Sequence, residues 1–164
     1  MVRKRWVVDE ETATIRFTAT SSVHTIRAKG TVRGWLEATI IDGAFAPGTE
    51  LNGELIVPLA GLASGNPLID REMRRRVDIG IFPEISAVVE STESIHGPDA
   101  TIDGIIAFLG GGVLVEGDIE LCEGPRLKGV GEFDIRWWGL EPPRLLMFQV
   151  DPIVTVEIDL PLSE

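Results

Sequence analysis

Few side chains here could do acid–base or nucleophilic chemistry near neutral pH: His24, His96 and Cys122, with no tyrosine in the chain. A general base must sit within hydrogen-bond reach of its proton, and a nucleophilic cysteine needs a base or cation to hold it as thiolate. No histidine lies near Cys122 in sequence, and Cys122 falls on the opposite strand parity to Leu121. His96 belongs to the turn signal His96-Gly97-Pro98-Asp99 and is expected to be exposed. His24 lies in an extended stretch, where a hydrogen-bonded structural histidine is the ordinary reading. It is the one credible acid–base group if the chain is an enzyme. Two histidines and one cysteine so far apart give no metal-ligand spacing. The run Gly110-Gly111-Gly112 lacks the Lys-Ser/Thr of a phosphate loop. No catalytic residue, metal or cofactor is expected, and recognition of a ligand is left as the chemistry to explain.

Charge narrows the ligand. The formal net charge of −11 repels a nucleic-acid backbone or an anionic membrane surface, so no nucleic-acid partner is expected. Arg71, Arg74, Arg75 and Arg76 form the one basic cluster, and the acids interleaved with them read as a solvated, self-paired helix face. Apolar content of 44% with 25% charged residues marks a folded chain, of a length that suits a single domain over residues 1–164. One cysteine excludes an intramolecular disulfide. Met1 to Arg5 imitates the basic start of a secretory leader, but Asp9, Glu10 and Glu11 arrive where an apolar run should be. Gly104 to Val115, the longest weakly polar run, is twelve residues with four glycines, too short to span a bilayer and giving no integral membrane segment. A soluble cytoplasmic protein is expected.

Period-2 alternation dominates the chain and supplies the elements that would position a ligand. Ile15, Phe17 and Ala19 alternate with Thr14, Arg16 and Thr18. Later runs repeat the pattern: Leu51 to Leu59, Ile85 to Glu90, Ile102 to Phe108, Val113 to Leu121, Leu127 to Trp137, and Val154 to Leu160. Asp42-Gly43 is a hairpin signal. Eight or so strands joined by Gly, Pro and Asp turns predict an all-β, antiparallel barrel or sandwich. The exception is one short helix near residues 67–77. Asn66 can cap it, Pro67 suits its first position, and Ile69, Met73 and Val77 share a face. A lone helix in an all-β chain either lids a cavity or merely connects strands.

Gly53, Gly104, Gly117 and Gly131 fall in register with apolar faces. Glycines serve for sharp bends in barrel strands, but an interior lined with them cannot fill its own volume. An eight-stranded barrel is at the size where side chains either fill it or leave room for one small ligand. The expected wall is Phe17, Trp35, Leu55, Phe108, Val115, Phe133 and Ile135, with Ile69, Met73 and Val77 as lid. A long apolar ligand is the natural tenant. Trp137-Trp138 pulls toward a filled barrel, since adjacent strand residues face opposite ways and one Trp must lie outside. Val156 is expected to be strand wall that folding needs.

In order and spacing these residues resemble the YceI-like, polyisoprenoid-binding proteins, which have a lipocalin-like barrel. The resemblance covers nearly the whole chain. It is carried by Trp6-Val7-Val8-Asp9 with Ile15 and Phe17, by Val23-His24 followed by Gly34-Trp35-Leu36-Glu37, and by Gly65-Asn66, Asp70 to Met73 and Phe82-Pro83. Gly104 with Phe108, Glu116-Gly117-Asp118, and Pro142-Pro143-Arg144-Leu145-Leu146 complete it. The chain departs from the family at Leu109 to Gly112, where relatives carry a His-Gly-Val-Thr turn, and many relatives have a secretory leader. The resemblance implies binding of an isoprenoid or other lipid-like small molecule. Three readings stay open: a lipid or isoprenoid carrier, a small isomerase or cyclase on an apolar substrate, and a filled-barrel interaction protein. The oligomeric state is open too, a homodimer included.

Overall fold

The computed structural model describes residues 1–22, 24–141, 144–145 and 148–164, with the backbone alone for 144–145 and 148–149. Val23, Pro142, Pro143 and Leu146, which contribute to the family resemblance, lie outside the described residues. The strands are β1 (Val2–Val8), β2 (Thr14–Ser21), β3 (Thr25–Gly30), β4 (Arg33–Ile41), β5 (Ala44–Phe45) and β6 (Asn52–Pro58). The helix α1 (Pro67–Arg76) follows. Then come β7 (Glu84–His96), β8 (Asp99–Phe108), β9 (Gly111–Cys122), β10 (Arg126–Asp134), β11 (Arg144–Leu145) and β12 (Phe148–Ser163).

Eight of these strands form a closed antiparallel ring in the order β1-β4-β6-β7-β8-β9-β10-β12. The seam is short: Val7 opposite Ser163 and Val8 opposite Leu162. The long β12 lends one edge to two neighbours in turn. It pairs with β2 from Val150 to Asp159 and with β1 only at its end. The β2–β3 hairpin therefore flares from the ring, and Lys29 is bridged to Ala63 beyond it. The β12–β2 register shifts between Val150 and Val154, around Pro152, which has no N–H to give a ladder. Two tight turns close hairpins with both central residues at positive φ, the geometry that matches strand twist: Asp42-Gly43 and Leu109-Gly110.

Packing divides the barrel lengthwise. Toward one end, Trp6, Leu36, Ile40, Phe45, Leu160 and Leu162 are buried in one cluster with Leu121 and Leu127. That end is a solid floor. Toward the other end several inward residues, Phe17, Leu55 and Val156 among them, are only partly buried, and α1 contributes no buried residue at all.

Several sequence expectations change here. The helix ends at Arg76, with Val77 extended as its C-cap, and begins as expected, with the Asn66 side chain accepting from the Leu68 N–H at 3.0 Å. The strand read through to Trp137 stops at Asp134. The Asp134 carboxylate accepts from the Arg136 N–H at 2.9 Å and turns 135–138 into a single 3-10 turn, closed by Gly139 at φ 80°. A short acidic side chain competing for backbone N–H groups ends a strand in this way. His24 lies exposed in the β2–β3 turn rather than in a strand, its N–H donating to the Ser21 hydroxyl at 2.9 Å. Gly53 is buried against Leu36 and not in open space. A Cβ there would come within 2.9 Å of the Trp35 carbonyl, so this glycine lets two backbones approach.

Candidate ligand-binding cavity

Above the floor lies a cavity of about 370 Å³, open on the side that α1 crosses. Its size falls within the range of small-molecule sites, roughly 300–1,000 Å³. Phe17 on β2, Leu55 on β6, Phe108 on β8, Val115 on β9 and Phe133 on β10 all line it. Ile69 and Met73 line it from α1, with Val77 just beyond the helix and Ile135 from the 3-10 turn. Nine of the ten expected wall and lid residues are therefore brought to one space.

Trp35 is the exception. On β4 the buried, inward residues are Leu36, Ala38 and Ile40, so Trp35 has the outward parity. Its ring instead carries the Arg5 guanidinium, 4.2 Å from the centroid, a cation–π contact on the outer surface. The adjacent Gly34 explains the tightness of this strand pair: a Cβ at 34 would lie 1.9 Å from the Glu54 carbonyl oxygen.

Trp138 was not among the expected lining residues, and it organises the aromatic wall. Its ring meets Phe133 edge-on at 5.2 Å and Phe108 at 6.2 Å, while Phe133 meets Phe17 at 6.3 Å. Its indole N–H, which needs a partner when withdrawn from water, donates to the Gly111 carbonyl at 3.2 Å. Trp137 points out and is 53% exposed. One Trp is indeed outside, but through a 3-10 turn and not through strand alternation. Gly104, Gly117 and Gly131 line the cavity, as a hollow interior requires.

Most of the charged residues of the lining gather where the helix crosses: Asp70, Glu72, Arg74 and Arg76, with Glu141 and Asp151; Glu116 and Asp118 on β9 flank Gly117. The charges on the helix tether it at both ends. Near its start, Asp70 Oδ1 accepts from the Ser64 N–H at 2.8 Å and from the Ser64 hydroxyl at 2.7 Å. These bonds hold the Asp70 carboxyl below its ordinary range against the opposing effect of partial burial, with Arg74 assisting. At the other end Arg76 pairs with Glu72 at 3.0 Å and donates to the Glu141 carbonyl at 3.0 Å. A helix with no buried residue, held by such ties, belongs to the part of a fold that opens at low cost.

Outside the barrel, Asp103 on β8 lies directly across from Glu116 on β9, with Glu93 of β7 beside them. The Glu93 carboxyl is raised above its ordinary 4.5, first by a hydrogen bond to Asp103 that requires a shared proton, then by the charge of Asp103, burial and the charge of Glu116. A raised folded-state value means that the neutral acid favours the fold. That contribution is complete below pH 4.5 and is lost as pH rises through the raised value. Glu93→Gln is therefore expected to raise the melting temperature at pH 7, with the gain shrinking toward pH 4.5. Calorimetry across that interval checks it, and a gain independent of pH contradicts the shared proton. Among the described residues no group of three His, Cys, Asp or Glu side chains is arranged to hold a metal, and no helix is long and apolar enough to cross a membrane.

Comparison with known proteins places this architecture. The YceI-like domain model matches residues 6–162. No curated protein sequence matches the chain. Among solved structures it is similar to Burkholderia cenocepacia BcnA, with a TM-score of 0.76 and 11% identity over 96% of this chain and 99% of that one. It is also similar to a polyisoprenoid-binding domain from Saccharophagus degradans implicated in plant cell wall breakdown, with a TM-score of 0.67 and 12% identity over 96% and 97% of the two chains. A mutant CJ YCEI protein solved with a monobromobimane guest is similar at a TM-score of 0.59 and 9% identity, over 87% of this chain and 88% of that one. With the family model covering β1 to β12 and the closed barrel shared with these structures, the chain belongs to the YceI-like family.

Proposed function

We propose that this protein is a carrier that holds one long apolar or amphiphilic molecule, a polyisoprenoid, an isoprenoid quinone or a similar lipid, in the upper barrel. The observation that carries this reading is the cavity itself. Its wall is largely aliphatic and aromatic, and most of its charged residues stand at the helix, which suits an apolar tail inside and a polar end toward solvent. Membership of a family whose solved relatives include a polyisoprenoid-binding domain supports binding over catalysis. So does the place of His24, which is exposed in a turn and does not line the cavity. A cytoplasmic setting stays part of the proposal, consistent with a single free thiol, Cys122, that has no partner cysteine in the chain.

Met73→Asp tests the reading. The charge would stand on the lid face where an apolar chain should lie, and burying it unpaired costs several kcal/mol. Affinity for a fluorescent isoprenoid analogue should fall at least about tenfold, roughly 1.4 kcal/mol. Without ligand the carboxylate meets water in the open cavity, so the melting temperature should move little. Unchanged affinity would remove the lid from the site, and unfolding of the ligand-free protein would make it plain core. Organic extraction and mass spectrometry of the purified protein should recover a co-purifying lipid.

A further inference from the structure

We propose that the outer face of α1, together with Ile81, is a docking surface for an anionic lipid bilayer. Docking there would set the open side of the cavity against the bilayer for ligand exchange, a consequence that rests on the carrier reading; the docking itself does not. At 100° per residue, Leu68, Arg71 and Arg75 form one stripe, turned away from Met73. Because Met73 and Ile69 face the cavity, that stripe is the outside of the lid. Leu68 is 71% exposed and Ile81 is 68% exposed. A single exposed aliphatic residue needs no explanation, but here two of them bracket four arginines at the open side of an apolar cavity.

The charge supplies the complement. Within α1 four arginines stand against Asp70 and Glu72, a net of +2 in a chain of −11. Arg71 makes no hydrogen bond or ion pair among the described residues. Arg75 reaches Glu72 only at 3.5 Å, with its side chain 75% exposed. These guanidinium groups are free to meet phosphates, which they bind in bidentate fashion. The acidic remainder of the barrel does not forbid contact. At physiological ionic strength the Debye length is about 8 Å, so a bilayer touching α1 feels the local cations more than the distant carboxylates. The expectation of repulsion drawn from net charge applies to the chain as a whole and not to this face. An anionic bilayer fits better than an acidic protein because it accepts aliphatic side chains between its head groups as well as arginines at its surface.

Flotation of the full-length protein tests this, using vesicles of mixed phosphatidylglycerol and phosphatidylcholine and vesicles of phosphatidylcholine alone. The protein should bind the anionic vesicles at least about tenfold better and release them near 1 M salt, where the Debye length is about 3 Å. Arg71→Glu with Arg75→Glu should cut that binding at least about tenfold, since each juxtamembrane cation contributes about fivefold. Leu68→Asn with Ile81→Asn should weaken it by severalfold. None of the four residues lines the cavity, so titration with a soluble isoprenoid analogue should be unchanged, which separates failure of docking from failure of the carrier reading. Absence of binding, equal binding to both vesicle types, or binding indifferent to charge reversal would overturn the proposal. Binding to poly-glutamate without binding to vesicles would also overturn it, in favour of an acidic protein partner.

Discussion

Gly117→Phe should abolish binding of an isoprenoid analogue and leave the barrel folded. Gly117 lies on β9 between Val115 and Ile119, all three lining the cavity, and is paired directly with Gly131 of β10. A Cβ built there meets only the Val130 carbonyl oxygen, at 3.5 Å, an ordinary contact. Gly131 is tighter, at 3.2 Å from the Glu116 carbonyl oxygen. Position 117 therefore admits a side chain, and that side chain must project into the void. A phenyl ring there takes the volume that a ligand would use, so affinity should fall at least about a hundredfold, roughly 2.7 kcal/mol. Stability should hold or rise. Glycine inside a strand costs about 0.5–1 kcal/mol relative to a residue with a Cβ, and new contacts replace empty space. Titration and calorimetry on the same preparation read both quantities. Retained affinity would place the ligand elsewhere, and an unfolded variant would mean that no void exists at this height.

The strands around this glycine were the most legible part of the chain. From Val113 to Leu121 one face is apolar and the other mostly polar, so alternation gives both the strand and its inward side. On β4 the same rule points away from Trp35, which shares its face with Glu37 and Thr39, while Leu36, Ala38 and Ile40 form the wholly apolar face. The size and aromaticity of Trp35 favour the wall against that parity, and the burial of Leu36, Ala38 and Ile40 shows that the parity holds. The end of β10 was hidden for a local reason, because Phe133, Ile135 and Trp137 keep the period while the Asp134 side chain captures the Arg136 N–H and breaks it. Trp138 thereby reaches the cavity from a turn. The helix was readable from its cap, proline and apolar face, and Gly65-Asn66 with Phe82-Pro83 marked the family. That β12 serves β2 and then β1 was not readable, because nothing in Val150 to Ser163 records which partner takes which half. Nor could the division into solid floor and hollow top be seen. Val156 and Leu160 are four residues apart on the same apolar face, yet Val156 lines the cavity and Leu160 is 1% exposed in the floor.

That contrast yields the largest expected effect on stability. Leu160 lies opposite Leu127, just before β12 passes from its ladder with β2 to the two residue pairs that close the ring on β1. Truncation there opens a cavity in close-packed surroundings, which costs about 2–5 kcal/mol for Leu→Ala. The neighbours are poorly placed to collapse into the space, because the short seam at Val7–Ser163 and Val8–Leu162 depends on them. Val156→Ala, by contrast, only widens a cavity that already exists. Its side chain is partly exposed to that space, so the lost burial should amount to about 1 kcal/mol or less. Urea denaturation of both variants without ligand should show Leu160→Ala shifted several times further than Val156→Ala, with the same slope if both remain two-state. Ligand should then restore part of the smaller loss by filling the space beside residue 156, and should leave the gap between the two variants open, because no ligand reaches the floor. Equal losses at the two positions would mean that the barrel is packed alike along its length, and the hollow upper half would have to be given up.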